Sequence, residues 1–139
     1  MPANDALADE LAVRNLLARI AHAADVSTDE ELESDYLPLY TDDAVWDLAG
    51  TEQVGRAAIL AAARARRATG TQGPGTNTKH ILTTSAVEVD GDEATHVGCY
   101  MMLADTRSQP RIMSTGTYRD TLKRTPDGWK MARRQILPG

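Results

Sequence analysis

Apolar residues recur along Ala6–Ala24 at Val13, Leu16, Leu17, Ile20, Ala21 and Ala24. This three-and-four spacing gathers them on one stripe and predicts a first helix over residues 6–24. Thr28 and Glu31 have the spacing of a capping box, and Pro38 resists helical continuation. A second, shorter helix is therefore predicted from Thr28 to just before Pro38, with Leu32, Tyr36 and Leu39 inward. Val45 and Trp46 favour a short strand over Ala44–Leu48, reached through the polar turn Thr41-Asp42-Asp43. The Ala-rich run from Gly55 to Thr69 predicts a third helix, capped by Gly70, with Arg64, Arg66 and Arg67 as its solvated basic end. Gly70–Thr78 reads as a mobile loop.

Beyond that loop the period changes to two. Lys79–Val89, Glu93–Ala104, Arg111–Lys123 and Trp129–Leu137 alternate. The turns between them are Asp90-Gly91-Asp92, Ser108-Gln109-Pro110 and Pro126-Asp127-Gly128, which predicts an antiparallel meander of long strands. Helices first and a meander afterwards imply an α+β fold, with three N-terminal helices packed on a curved antiparallel sheet. Long twisted strands curl, leaving a concave interior suited to a small molecule. Trp46, His80 and the strand from Trp129 to Ile136 are expected to line that pocket.

Composition narrows the class. A chain of 139 residues fits a single domain over 1–139. Its net charge of -5 argues against a nucleic-acid partner, which would select a basic face. No run approaches the length that spans a bilayer, and the first residues lack a secretory pattern. Cys99 is the only cysteine. That excludes an intrachain disulfide, fits a cytoplasmic setting and suggests a buried thiol. With no Phe, the methionines and tryptophans must supply adaptable apolar bulk.

The candidate chemistry is sparse. Helical rotation places Asp25 near Leu17 and Ala21, at the edge of the apolar stripe, where it either looks inward or merely ends the helix. His22 points to the opposite, solvent side. His96 lies mid-strand, in a structural role on either face. His80 opens a strand after the Gly-rich loop, and alternation puts it with Leu82, Thr84 and Ala86. A lone histidine is often a packed group, yet imidazole is the best general base in the set. If Asp25 reaches His80, the carboxylate would fix the ring tautomer and free the other nitrogen to take a proton. Arg133 shares a face with Trp129 and Met131 and could stabilise an oxyanion, with Arg134 as its exposed twin. Trp46, Tyr36, Thr84, Tyr100, Met102, Tyr118 and Trp129 are candidate substrate contacts. No third His or clustered carboxylate has metal-ligand spacing beside His80, so no metal is expected.

The order and spacing of several short motifs resemble the SnoaL-like proteins of the nuclear-transport-factor-like superfamily, which includes polyketide cyclases, scytalone-type dehydratases and ketosteroid isomerases. The motifs are the helix ending at Asp25, Leu39-Tyr40-Thr41-Asp42-Asp43-Ala44 before the first strand, Gly55 opening the third helix, and His80 beginning the long strand. Val89-Asp90-Gly91-Asp92-Glu93-Ala94, Gly116-x-Tyr118-x-Asp120 and Asp127-Gly128-Trp129 ahead of Arg133 complete them. The resemblance implies a cone-like α+β barrel with a deep pocket, no cofactor, and a homodimer joined through the sheet. Dehydratase and dehydrochlorinase members use an Asp-His pair, and Asp25 and His80 match those positions. The dehydratases place a tyrosine close to the acid where this chain has Ile20 and Ala24, so another donor such as Tyr36, Tyr100 or Tyr118 is required. The expected function is a cofactor-independent lyase or isomerase acting on a small apolar cyclic or polyketide-like molecule. The alternatives are a non-catalytic ligand-binding or dimerisation domain of the same fold and, ranked lower, an epoxide hydrolase with Asp105 as second acid.

Overall fold

The computed structural model describes residues 3–139. Helix α1 (Ala3–Val26) buries Val13, Leu16, Leu17 and Ile20, as its periodicity requires, and packs on the sheet. Thr28 and Glu31 form the expected capping box: the Thr28 N–H donates to Glu31 Oε2 at 2.8 Å, and the Glu31 N–H donates to Thr28 Oγ1 at 3.2 Å. The residues after the box depart from the predicted helix. A π-helical turn, Leu32–Tyr36, runs into a 3-10 turn, Leu37–Leu39, that contains Pro38 near its start. Proline is tolerated there because the first N–H groups of a helix lack internal partners.

Strand β1 (Tyr40–Leu48) begins earlier than predicted, absorbing Asp42 and Asp43, and turns through Ala49 and Gly50 into β2 (Thr51–Val54). Both turn residues have positive φ, 50° and 95°, the geometry of a tight hairpin, and the Gly50 N–H is held by Asp47 Oδ1 at 2.7 Å. Ala-Gly is a weak hairpin signal, which explains why β2 escapes the sequence pattern. Helix α2 (Arg56–Ala68) precedes β3 (Lys79–Asp90), β4 (Glu93–Ala104), β5 (Arg111–Thr125) and β6 (Gly128–Pro138). The last four form the predicted antiparallel meander.

The sheet has six strands in the order β2-β1-β6-β5-β4-β3. Because β1 lies parallel to β6, the sheet is mixed rather than wholly antiparallel. Irregularities interrupt the ladders at Thr84, Met113 and Ala132. Each extra residue bends its strand and reverses which side chains face inward beyond it. The helices cover the inner face of this curved α+β sheet, and no helix among the described residues is long and apolar enough to cross a membrane.

Candidate active site

His80 is the second residue of β3, and Asp25 sits in the last turn of α1. The His80 backbone N–H reaches Asp25 Oδ2 at 3.0 Å, while ring Nδ1 lies 2.6 Å from Oδ1. The strand thus begins on the same carboxylate that orients the ring. Both side chains are nearly buried, 9% and 8% exposed. With Nδ1–H donating to Asp25, the lone pair belongs to Nε2.

That nitrogen meets Gln72. The Gln72 carboxamide nitrogen lies 2.9 Å from His80 Nε2, and its Oε1 accepts from Arg66 Nε at 3.0 Å. These two partners fix the amide orientation, since only the NH2 end can donate to a lone pair and only the oxygen can accept from a guanidinium. Arg66 also lies over the Trp46 ring, 4.4 Å from its centroid. Among the described residues it makes no ion pair with a carboxylate.

The loop that carries Gln72 is built rather than loose. Thr69 and Thr71 hydroxyls both donate to the Arg66 carbonyl, folding residues 69–72 back on the end of α2. Gly73 (φ 91°) then packs on Arg67: an added Cβ would stand 3.1 Å from Arg67 Cγ. Arg67 is itself only 6% exposed and donates to the carbonyls of Ala24 and Ser27. It supplies the cation that the C-terminus of α1 lacks in its own last turn. The solvated-end expectation therefore holds for Arg64, which is exposed, and fails for Arg66 and Arg67. Arg66 stands three residues after buried Ala63 and seven after buried Ile59, on the same helical stripe, and that spacing is the sequence signal of its inward position.

His80 opens on a cavity of about 190 Å³ lined by Trp46, Tyr100, Met102, Tyr118 and Ile136 together with Gln72 and Arg66, while Asp25 and His80 together border a separate groove of about 400 Å³ along α1 and the start of β3. Trp46, Arg66, Gln72, His80 and Tyr118 also line a smaller inner recess that reaches Tyr36 and Arg134. Tyr100 and Tyr118 stack with centroids 4.5 Å apart. Gly116 makes room for them, because a Cβ there would come 2.6 Å from the Tyr100 ring. Burial pushes the Tyr118 hydroxyl up to about 12, so it remains a protonated donor in the cavity wall. A larger groove of about 530 Å³ runs along α1 past Arg19, His22 and Leu39. His22 and Asp35 both border it, but among the described residues no hydrogen bond joins them.

Several expected residues lie elsewhere. The bulge at Ala132 reverses the alternation after Met131, so Arg133 turns outward to Asp47 (3.0 Å) and Glu52 (3.1 Å), and Arg134 turns in. Thr84 is itself the bulged residue of β3 and is exposed; Ser85 and Val87 take the inward positions assigned to Thr84 and Ala86. Trp129 precedes the β6 bulge at the far end of the strand, where its Nε1–H donates to Asp9 and Arg124 stacks on its ring. Cys99 is exposed rather than buried, on the outer face of β4, because the even-numbered residues from Ala94 to Ala104 point inward. Asp105 lies in an exposed turn paired with Arg111 at 2.7 Å, so the two-carboxylate epoxide site is not assembled.

A second Asp-His pair joins His96, expected only as a structural histidine, to Asp120. His96 Nδ1 lies 2.7 Å from Asp120 Oδ2, and its Nε2 lies 3.0 Å from Ser85 Oγ. Arg134 binds both Asp120 oxygens at 2.9 Å. Burial works to raise the Asp120 carboxyl, but Arg134 and His96 outweigh it and hold it below its ordinary value. His96 and Asp120 face each other directly across β4 and β5.

The SnoaL-like domain family matches residues 5–135, and the chain belongs to that family. None of the curated proteins matches it. Among solved structures, Rv3472 from Mycobacterium tuberculosis, a protein of unknown function, aligns with a TM-score of 0.82 and 23% identity over 100% of this chain and 76% of its own. An NTF2-like protein with a cystatin-like fold from Novosphingobium aromaticivorans aligns at 0.74 and 28% identity over 94% and 81%. LinA aligns at 0.79 and 21% identity over 100% and 91%.

Proposed function

We propose that the protein is a cofactor-independent lyase or isomerase that removes a proton from a small, largely apolar cyclic or polyketide-like substrate. The observation that carries this reading is the 2.6 Å contact between His80 Nδ1 and Asp25, with Nε2 turned toward an aromatic-walled cavity. In the reaction Nε2 takes the substrate proton, and Asp25 holds the tautomer and offsets the imidazolium charge as it forms. Trp46, Met102 and the stacked Tyr100 and Tyr118 bind the apolar body of the substrate, and the Tyr118 hydroxyl supplies a proton donor beside it.

Incubating the protein in heavy water with a panel of small cyclic ketones, β-hydroxyketones and halides, followed by proton NMR, tests the reading. Exchange or elimination should occur with at least one compound and fall to background in His80→Gln. Turnover that survives in His80→Gln would contradict it. The same reading takes the protein as a cytoplasmic homodimer joined through the outer sheet face, where Val97 is exposed; light scattering should return twice the chain mass.

A further inference from the structure

The Gln72 carboxamide presents the atoms O=C–N–H, with its oxygen on Arg66 and its hydrogen aimed at His80 Nε2. An enolisable carbonyl compound presents O=C–C–H in the same connectivity. We infer that Gln72 is a resident stand-in for the reacting group, that Arg66 is the oxyanion donor of the site, and that the substrate is a carbonyl compound which displaces Gln72. The inference rests on the Asp25–His80 reading and narrows it to proton removal beside a carbonyl.

Three observations converge on Arg66. It sits at the cavity wall over Trp46, its charge has no carboxylate partner among the described residues, and its Nε–H is already directed at a carbonyl oxygen. Arg134, the other guanidinium near the recess, is bound at two atoms by Asp120, which neutralises its charge. A half-buried cation left unpaired is poised for charge that appears only during reaction. The loop also permits displacement. Gln72 contributes a carboxamide held by two hydrogen bonds, while the backbone on either side is anchored separately through Thr71 and Gly73. Its side chain can swing while the loop stays in place.

The step balances without another reactant. The C–H bond beside the carbonyl breaks and its proton goes to His80 Nε2. Its electron pair forms the C=C bond, and the carbonyl π pair moves onto oxygen, held by Arg66. If the imidazolium proton swaps with solvent first, reprotonation of the same carbon gives hydrogen exchange; return of the proton to a conjugated carbon gives isomerisation.

The test uses 2-tetralone, an apolar cyclic ketone with acidic C–H bonds, and 2-naphthol, a flat mimic of its enol. Hydrogen exchange is followed by NMR in heavy water and 2-naphthol binding by calorimetry, for wild type, Arg66→Met, Arg66→Lys, Gln72→Ala and His80→Gln, with Arg133→Ala as control. Arg66→Met should weaken 2-naphthol binding about ten- to a hundredfold, the worth of one hydrogen bond to a charged group, and slow exchange at least as much. Arg66→Lys should recover part of both. Gln72→Ala should bind 2-naphthol about tenfold tighter, because no hydrogen bond is given up on opening. Exchange lost in His80→Gln but unchanged in Arg66→Met overturns this inference and leaves the base intact. So does weaker binding in Gln72→Ala, or no wild-type exchange alongside turnover of a non-carbonyl compound. Exchange that persists unchanged in His80→Gln overturns the underlying reading instead.

Discussion

The protein contains two Asp-His pairs of nearly equal geometry, 2.6 Å at Asp25–His80 and 2.7 Å at Asp120–His96. Their surroundings separate them. His96 is fully buried, its second nitrogen is committed to Ser85, and its carboxylate also holds the Arg134 guanidinium. His80 sits at a cavity, and its second nitrogen touches only a carboxamide that rotation of one side chain would withdraw. The same residue types therefore make a packed structural network in one place and an accessible base in the other. The partner of Nε2 and the space beyond it decide between the two roles, not the Asp-His contact.

The comparison breaks most visibly at His80. His80→Gln should slow proton transfer by about 10²–10⁴-fold and cost only about 1 kcal/mol in a urea titration, because the nearly buried Asp25 keeps the backbone N–H of residue 80. Asp25→Asn should approach the same loss, since a carboxamide can donate to Nδ1 and turn the lone pair away from the cavity. Asp120→Asn should do the reverse: it strands Arg134 in the interior and should cost about 3–5 kcal/mol in a urea titration. His96→Gln should cost less, about 1–3 kcal/mol, by leaving Ser85 and Asp120 short of a partner.

Acid should sharpen the contrast. Asp120 titrates below its ordinary value of 3.8 when folded, so its contribution to stability is complete above that value and is lost as pH falls through the lower folded one. Denaturation midpoints measured below pH 4 should thus fall more steeply with acid in wild type than in Asp120→Asn. The smallest effect belongs to Arg133→Ala. Its guanidinium is half-exposed and Glu52 is exposed, while the nearly buried Asp47 keeps the Gly50 N–H as a partner, so the loss should cost about 1 kcal/mol with turnover unchanged.

Helix α1 and the meander are legible in the sequence because each rests on a period, three-and-four for α1 and two for β3 to β6; the Asp25–His80 pairing, between residues far apart in the chain, rests instead on the family resemblance. Two of the misplacements trace to single inserted residues. Ala132 exchanges Arg133 for Arg134, and Thr84 exchanges itself for Ser85, because alternation along a sequence carries no mark of a bulge. The parallel pairing of β1 with β6 also lies beyond local pattern, since it joins residues far apart in the chain, such as Tyr40 and Met131. Gln72 is hidden for a different reason. A Gly- and Thr-rich segment normally signals mobility, whereas here its hydroxyls fold it onto the end of α2.

Long-range proton-nitrogen NMR correlations of the histidine rings test the central contrast most directly. His80 should be the Nδ1–H tautomer, and 2-naphthol should shift its Nε2 resonance while both His96 nitrogens stay still. A His80 ring carrying its proton on Nε2, or a ligand that moves His96 and leaves His80 unchanged, would contradict the division of roles between the two pairs.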